Sequence, residues 1–243
     1  MSTTAKTSTS RSGTRSTALS RERIIKAAYQ IALKDPLNPL SMRKIATKLK
    51  VTPMAIYKYF NDKDELTAAV IDNHLENSGL VPESDPKDWR SWITSAMLKM
   101  WDAYDAAPGM VQYMSQATTF GPAVLSWQNE TLKVLIGAGL TPKQALTAHA
   151  TMSELATGNM ILVPIRQQGV QVVFPTIWKD LTEGKVPNPQ DLNEKMPMVD
   201  YPYLLMCGQA MMEDMQDSRG AFSNGLELIL NSLEIQIAAN KAK

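Results

Sequence analysis

Three helix-start signals follow one another closely at Ser41, Thr52 and Asp62, and they constrain the fold more than any other feature of the chain. Each of these side chains can accept a hydrogen bond from the first turn of a helix. Pro53 suits the first helical position because its missing N–H is not needed there. Glu65, three residues after Asp62, completes a variant of the capping box. The spacing therefore predicts two short helices joined by a tight turn, a helix-turn-helix, followed directly by a further helix.

The flanking sequence predicts helices along most of the remaining chain. Apolar residues at helical spacing extend from Ser20 to about Lys34, which gives a helix that supports the short pair. Residues 169–200, with four prolines, are expected to be irregular or to carry short helical pieces, and only Val170–Phe174 alternates like a strand. The predicted fold class is all-α. The other predicted helices cover residues 62–77, 89–104, 110–117, 122–137, 141–167, 201–216 and 219–239.

The charge of the chain is unevenly distributed, although its total is only +1. Residues 1–63 carry 13 Lys and Arg against three acids, a net charge of +10. Residues 64–243 carry 12 Lys and Arg against 21 acids, a net charge of −9. This split favours a module that faces nucleic acid, attached to a body that does not. The alternative is a solvated helix surface, where Lys and Arg are common.

Residues 1–19 are rich in Ser, Thr and basic residues and nearly lack large apolar side chains. They can bury too little surface to offset the entropy of ordering, so we predict a disordered basic arm. Lys6, Arg11 and Arg15 could contact phosphate or a minor groove, and a segment without function is the alternative. The single cysteine, the absence of a long apolar run and the polar N-terminus predict a cytoplasmic protein without a membrane partner.

The second short helix carries the residues expected to read double-stranded DNA. A helix-turn-helix inserts the first turn of its second helix into the major groove. Here that turn presents Pro53, Met54 and Ala55, with Lys58 one turn further on. Phosphates would be contacted by the surrounding basic and hydroxyl side chains and by free N–H groups at helix starts. The predicted DNA-binding residues are Ser41, Arg43, Thr52, Pro53, Met54, Ala55, Tyr57, Lys58, Tyr59 and Lys63.

This stretch resembles the helix-turn-helix of the tetracycline-repressor (TetR) family of bacterial regulators. The preceding helix, from Arg21 to Ala28, is also similar to the first helix of that family. One departure is Lys50, which occupies the turn where the family usually has glycine. If Lys50 is left-handed, it costs on the order of 1 kcal/mol. The residues that match the family pattern are Ser41, Arg43, Ile45, Ala46, Val51, Thr52, Ile56, Tyr57, Tyr59, Phe60, Lys63 and Leu66.

The resemblance implies a homodimer whose two heads bind a roughly palindromic operator. It also implies a C-terminal domain that binds a small effector and changes the spacing of the heads. Two helices of each copy would pack against their symmetry mates as a four-helix bundle. One candidate is the helix over 141–167, where Ala148, Thr151 and Ala156 permit close approach; the other is the last helix. The alternative is that the apolar stripe of the last helix is an ordinary core face. The predicted dimer residues are Leu226, Ile229, Leu230, Leu233 and Ile237.

Methionine and aromatic side chains are concentrated between Trp89 and Val163. Methionine adapts its shape and aromatic faces stack, so this composition suits a cavity for a mostly apolar or aromatic compound. Plain core packing is the alternative for each residue, and for His149 in particular. The predicted ligand-binding residues are Met100, Trp101, Tyr104, Met114, Trp127, His149, Met152 and Asn159.

The sequence offers no motif for catalysis or for a bound cofactor. No Cys, His and acid cluster has metal-site spacing, and neither a phosphate-binding glycine loop nor a Gly-x-Ser-x-Gly elbow occurs. The family's metal-binding histidine has no matching position, so a magnesium-chelated tetracycline is not expected. An interaction protein that does not bind DNA is the remaining alternative. We predict a ligand-responsive regulator, expected to repress, with a helix-turn-helix domain at 20–66 and an effector-binding and dimerisation domain at 67–243.

Overall fold

The regular structure of the protein is helical. No strand occurs in the described parts of the chain, and the all-α prediction is confirmed. The predicted basic arm lies almost wholly outside these parts. The computed structural model describes residues 18–34, 40–79, 88–115, 117–173, 175–185 and 201–242. In chain order the helices are α1 (Arg21–Lys34), α2 (Met42–Leu49), α3 (Pro53–Ile56), α4 (Lys63–Asn77), α5 (Trp89–Asp105), α6 (Pro108–Ser115), α7 (Pro122–Ala138), α8 (Pro142–Val173), α9 (Pro175–Thr182), α10 (Pro202–Gln216) and α11 (Ser218–Lys241).

Two of the differences between the observed and the predicted helix boundaries have a clear physical cause. α6 begins at Pro108, which was expected to interrupt the helices, because proline fits the first turn of a helix. α8 continues to Val173, so the residues from Val170 that alternate like a strand are helical. The alternation is too short to compete with an existing helix, which gains one hydrogen bond for each residue added.

The helices pack as two units that share α4. The head consists of α1, α2, α3 and the N-terminal half of α4, with α1 packed on α2 and α4, and α2 packed on α3. The body consists of α5 to α11, with α8 packed against α5, α6, α7, α9 and α11. The two units meet where α1 contacts α6 and where α4 contacts α6 and α7. α4 crosses the predicted domain boundary at 66–67 without a break, and that boundary stays a prediction.

The central helix of the body, α8, has 32 residues and contains Pro164 in its interior. Proline removes one hydrogen bond of the helical ladder and crowds the preceding turn. The buried residues of α8 lie before it, from Ala145 to Ala156. Neither α8 nor any other helix in the described ranges is both long and apolar enough to cross a membrane.

The turn between α2 and α3 places Lys50 in the left-handed conformation, with φ 57° and ψ 43°. The Lys50 N–H bonds to the Thr47 carbonyl at 3.2 Å, and the Val51 N–H bonds to the Ala46 carbonyl at 3.0 Å. This pair of bonds is the Schellman motif, which most often has glycine in the left-handed position. Lysine is strained there because its β-carbon crowds the backbone.

Replacing this strained lysine should stabilise the head. We expect Lys50→Gly to raise the free energy of unfolding by about 0.5–1 kcal/mol, because the left-handed penalty exceeds the extra unfolded-state entropy of glycine. Lys48→Gly, at an exposed position inside α2, is the matched control and should lower it by about 1 kcal/mol. Urea denaturation measures both variants. Equal losses in the two would contradict the assignment of strain to Lys50.

Candidate nucleic-acid interface and ligand cavity

The first turn of α3 projects from the head because only one of its side chains belongs to the core. Ile56 is completely buried, whereas Pro53 and Met54 are exposed, Met54 to 71%. Thr52 precedes α3 as its N-cap, but its hydroxyl makes no capping bond and is exposed. A short apolar and hydroxyl-bearing turn therefore faces outwards, and such groups can contact base edges in a major groove.

Basic and hydroxyl side chains flank this turn. Arg43 on α2 and Lys58 just after α3 are exposed, and Tyr57 is 45% exposed. Lys63, at the start of α4, is half-buried, and so is Ala55. Cations beside an inserted helix can contact phosphates and fix its orientation on a duplex.

Two of the predicted DNA-binding side chains already have partners within the chain. The Ser41 hydroxyl accepts a hydrogen bond from the Lys44 N–H at 3.4 Å and caps α2. The Tyr59 hydroxyl donates to the Leu19 carbonyl at 2.6 Å and ties the start of α1 to the turns after α3. The role expected of Tyr59 is therefore corrected, since its hydroxyl stabilises the head instead of being free for a phosphate.

Arg21 joins α1 to the segment between α3 and α4, an arrangement that we call the Arg21 clamp. Its guanidinium donates to the Tyr59 carbonyl at 2.6 Å and to the Glu65 carboxylate at 2.8 Å, and it lies 4.1 Å from the centre of the Phe60 ring. The Glu65 carboxylate also accepts the Asn61 backbone N–H at 2.8 Å. That backbone bond, followed by the bond from Arg21, lowers the pKa of Glu65 and keeps it ionised. The Arg21 clamp thus holds the segment after α3 in position against α1 and α4.

α4 is tied to the body through the loop and helix that follow α6. The buried Asp72 carboxylate accepts the N–H of Val124 in the first turn of α7 at 3.4 Å. It caps a helix that has no capping side chain of its own. Gly121 lies so close that a β-carbon there would overlap this carboxylate. Nearer the head, the Thr118 hydroxyl donates to the Asp64 carboxylate at 2.8 Å. A shift of this loop would therefore act on α4 at two points.

A cavity of about 270 Å³ lies among α4, α5, α6, α7 and α8. The rings of Trp127 and His149 on its wall are 5.1 Å apart, centre to centre. Burial lowers the pKa of His149, so the imidazole is neutral at pH 7. Five of the eight predicted ligand-binding residues line this cavity: Met100, Tyr104, Met114, Trp127 and His149.

The other three predicted residues do not line the cavity. Trp101 stacks on Phe222 of α11, with ring centres 4.9 Å apart. Met152 is completely buried in the core, and the Asn159 amide donates to the Leu155 carbonyl at 2.9 Å. Their assignment to a ligand therefore has no support from this cavity and stays a prediction. Helical spacing identifies a buried face, but it does not tell which neighbour that face meets.

The cavity also uses residues that the sequence prediction did not include. Ser153 follows His149 by one turn of α8, so helical spacing could have found it. Phe120 lies in the loop before α7, where no periodicity exists, and only the packing of the loop brings it to the wall. The other wall residues are Leu75, Val124, Gln128 and Thr157.

Among the residues that the structure describes, no Lys, Arg, Asp or Glu lines the cavity. The walls combine apolar and aromatic surface with a few neutral polar groups, which is typical of a site for a small organic molecule. Within the described ranges, no three His, Cys, Asp or Glu side chains lie close enough together to hold a metal ion.

The stripe predicted to contact a second copy is mostly buried inside its own chain. Only Ile229 is partly exposed. The stripe packs within the body, where α11 contacts α8, α5 and α10, so the assignment of its buried members to the dimer surface is corrected in favour of an ordinary core face. The assignment of Ile229, which lines the groove between α11 and α8, stays a prediction. A regular stripe signals burial, but it does not tell whether the same chain or a partner provides the cover. The buried residues of the stripe, each at most 5% exposed, are Leu226, Leu230, Leu233 and Ile237.

A different face of α11 is apolar and exposed. Leu228 is 74% exposed, and Ile235, two turns later on the same face, is 72% exposed. An open groove runs beside Leu228, between α11 and the first half of α8, where it is lined by Thr147 and Thr151. Leu146 on α8 is also more than half exposed. An exposed apolar face of this kind marks a contact surface.

Two family models match the chain. The model for bacterial regulatory proteins of the tetR family matches residues 24–70, which span the head. The model for the tetracyclin repressor-like C-terminal domain matches residues 81–237, which span most of the body.

Individual proteins are similar over most of their length. The chain is 22% identical to the HTH-type transcriptional repressor DrrR1 of Streptomyces coeruleorubidus, over 93% of this chain and 81% of that protein. It is 25% identical to the class G tetracycline repressor protein of Vibrio anguillarum, over 90% of this chain and 95% of the relative. The solved structure of the TetR family protein ActR of Streptomyces coelicolor, in complex with actinorhodin, has a TM-score of 0.71 and 22% identity, and covers 89% of this chain and 96% of ActR. This structural likeness shows a shared fold.

The junction at Asp72 should make stability depend on pH. Burial raises the pKa of the Asp72 carboxyl, the N–H groups of Val124 and Ala123 lower it only in part, and the charge of Glu76 raises it further. Because the folded-state pKa exceeds the unfolded value of 3.8, the contribution of Asp72 to stability is greatest below that value and is lost as the pH rises through the folded-state pKa. The free energy of unfolding of Asp72→Asn, relative to that of the wild type, should therefore increase as the pH rises from acidic to neutral values.

Chemical denaturation at several pH values measures the difference in unfolding free energy between the two proteins. Asp105→Asn, at an exposed position on the body, controls for the loss of one carboxylate without burial, and its difference from the wild type should vary less. A difference for Asp72→Asn that moves in favour of the wild type as the pH rises would contradict the burial argument.

Proposed function

The chain belongs to the tetracycline-repressor (TetR) family of bacterial regulatory proteins, and on this basis we propose that it represses transcription by binding a palindromic operator as a homodimer, from which a small apolar or aromatic effector releases it. Members of this family are transcriptional regulators and not enzymes. The observation that carries the proposal is the exposed first turn of α3, held on the Arg21 clamp at the basic end of the chain.

DNA recognition is assigned to α3 and the cations around it. Met54 and the Thr52 hydroxyl face outwards, where they would reach base edges, and Lys58 lies one turn further on. Arg43 and Lys63 would meet phosphates on either side. Because the Arg21 clamp fixes α3 before binding, little conformational entropy needs to be lost when the head docks.

The homodimer is assigned to the exposed face of α11 and the adjoining groove along α8. Leu228 and Ile235 would be covered by the same side chains of a second copy, since a two-fold axis brings identical surfaces together. The threonines in the groove are small enough for helices to approach closely. Two heads held in one dimer can engage both halves of a palindromic operator.

Effector release is assigned to the cavity and to the ties between its wall and α4. Phe120 and Val124 line the cavity, and the same loop and helix bond to Asp64 and Asp72 of α4. A ligand that prefers another position of this wall would shift α4 and the head, and with them the spacing of the two α3 helices. ActR, which shares the fold, has been solved in complex with actinorhodin, and this supports a small organic molecule as the effector.

DNA binding is tested with a duplex selected by the wild-type protein from a random pool. We expect Lys63→Ala to weaken binding to selected and unrelated duplexes by a similar factor and to reduce the salt dependence by about one unit of slope, because a phosphate contact is lost. Lys58→Ala should change the preference among duplexes, because Lys58 lies beside the groove-facing turn.

Lys99→Ala on the body is the matched control, since it removes an exposed lysine far along the chain from the head. Fluorescence anisotropy at several salt concentrations measures all three variants. Wild-type binding that is insensitive to salt, or equal effects of the head and body substitutions, would refute this docking mode. Failure of the wild-type protein to select any duplex at low salt would favour an interaction protein that does not bind DNA.

Dimerisation is tested by placing a charge on the exposed face of α11. Leu228→Glu should shift the protein from dimer to monomer, because two carboxylates would face each other across the two-fold axis in a desolvated contact. Operator affinity should fall at least about tenfold, since the second head would no longer be held near its half-site. Leu125→Glu on α7, also exposed, is the control. Light scattering measures the mass, and a Leu228→Glu protein that stays dimeric would exclude this face.

A further inference from the structure

Four buried polar atoms that belong to residues of the cavity wall have no hydrogen-bond partner among the described residues. They come from three different helices, α5, α7 and α8, and all four residues line the same cavity. Buried polar atoms are paired in the large majority of cases, so four on one wall point to a bound molecule that pairs with them. The atoms are Tyr104 Oη, Trp127 Nε1, His149 Nδ1 and Ser153 Oγ.

The chemistry of these atoms defines what they can bind. The Trp127 Nε1–H is a donor only, and it needs an acceptor. Burial raises the pKa of Tyr104, so this phenol stays protonated and can donate as well. His149 and Ser153 stand one turn apart on α8 and can each donate or accept. A complementary molecule must therefore carry at least one hydrogen-bond acceptor, such as a carbonyl oxygen, opposite Tyr104 and Trp127.

The absence of charge on the wall restricts the molecule further. In the described part of the chain, no Lys, Arg, Asp or Glu lines the cavity, and burial lowers the pKa of His149 so that it is not a cation at neutral pH. A carboxylate or an amine would enter without an opposite charge and would lose its hydration, so its binding would be disfavoured. The aromatic rings of Trp127 and Phe120 offer flat apolar surface instead.

We propose that this cavity selects an uncharged aromatic compound with a carbonyl oxygen that accepts hydrogen bonds from the Trp127 indole and the Tyr104 hydroxyl. The inference rests on the proposed function in that it takes the cavity as the effector site, and it adds the chemical class of the ligand and the two residues that distinguish it. Aromatic stacking supplies affinity, and the two donors exclude a hydrocarbon of the same shape because they would remain unpaired.

Three compounds with one ring skeleton test the proposal on the full-length protein. Fluorene has no polar group, 9-fluorenone adds a carbonyl, and 9-fluorenone-2-carboxylate adds a negative charge. Equilibrium dialysis measures the dissociation constant of each. We expect the ketone to bind on the order of tenfold more tightly than fluorene, as a hydrogen bond to a buried donor implies. The carboxylate should bind more weakly than the ketone.

Two substitutions connect the preference to the assigned donors. Tyr104→Phe and Trp127→Phe each remove one donor and keep an aromatic ring, so the ratio of fluorene to ketone dissociation constants should fall by roughly threefold or more in each. A change in cavity shape that weakens fluorene and the ketone equally leaves the ratio of their dissociation constants unchanged, so the ratio reports the lost hydrogen bond. Trp92→Phe is the matched control, because the Trp92 indole N–H is also buried without a partner but lies outside this cavity. Its ratio should equal that of the wild type.

A wild-type ratio near one would overturn the inference, and so would a ratio unchanged in both cavity variants. Binding of the carboxylate as tight as that of the ketone would overturn it too, as would no measurable binding of any of the three. The effect of 9-fluorenone on operator binding is a separate measurement. If the ketone binds with the expected ratios but leaves operator affinity unchanged, the ligand class stands and the proposed role of the cavity in release fails.

Discussion

The structure depends on one helix, α4, being packed into two units at once. Its first turn carries Glu65 of the Arg21 clamp and so belongs to the head, whereas its later turns carry Leu75 of the cavity wall and Asp72. Asp72 supplies the cap that α7 lacks, and α7 would lose it if the two helices separated. Head and cavity are therefore connected through a few directional hydrogen bonds. Such bonds either form or break, so they can hold α4 and α7 in distinct relative positions.

The rigidity of the head comes from interactions that are few but complementary. α3 is only four residues long and would not be stable alone. Three interactions hold α3 in place. They are the burial of the Ile56 side chain, the turn bonds around Lys50 and the Arg21 clamp. The strain at Lys50 is small compared with this packing, which explains how a lysine can occupy a position that favours glycine.

The cavity and the outer face of α11 are both places where the chain gives up stability. Unpaired polar atoms on the cavity wall and exposed leucine and isoleucine on α11 are unfavourable in an isolated chain. Surfaces of this kind persist when binding recovers the lost free energy. The membership of the chain in a family of ligand-responsive regulators gives both features a reason, since such a protein must bind a second copy and a small molecule.

The sequence by itself determined the all-α fold, the helix-turn-helix with its turn at Lys50, and five residues that line the cavity, because caps, prolines and helical spacing act locally. It also placed Leu226 and Leu230 on one apolar stripe of the last helix, but assigned that stripe to a partner, whereas both residues are buried in their own core. Only the tertiary structure decided that the Tyr59 hydroxyl is used within the head and that Phe120 reaches the cavity. Spacing along a helix tells which side chains share a face, whereas the neighbour that covers the face is set by contacts between residues far apart in the chain.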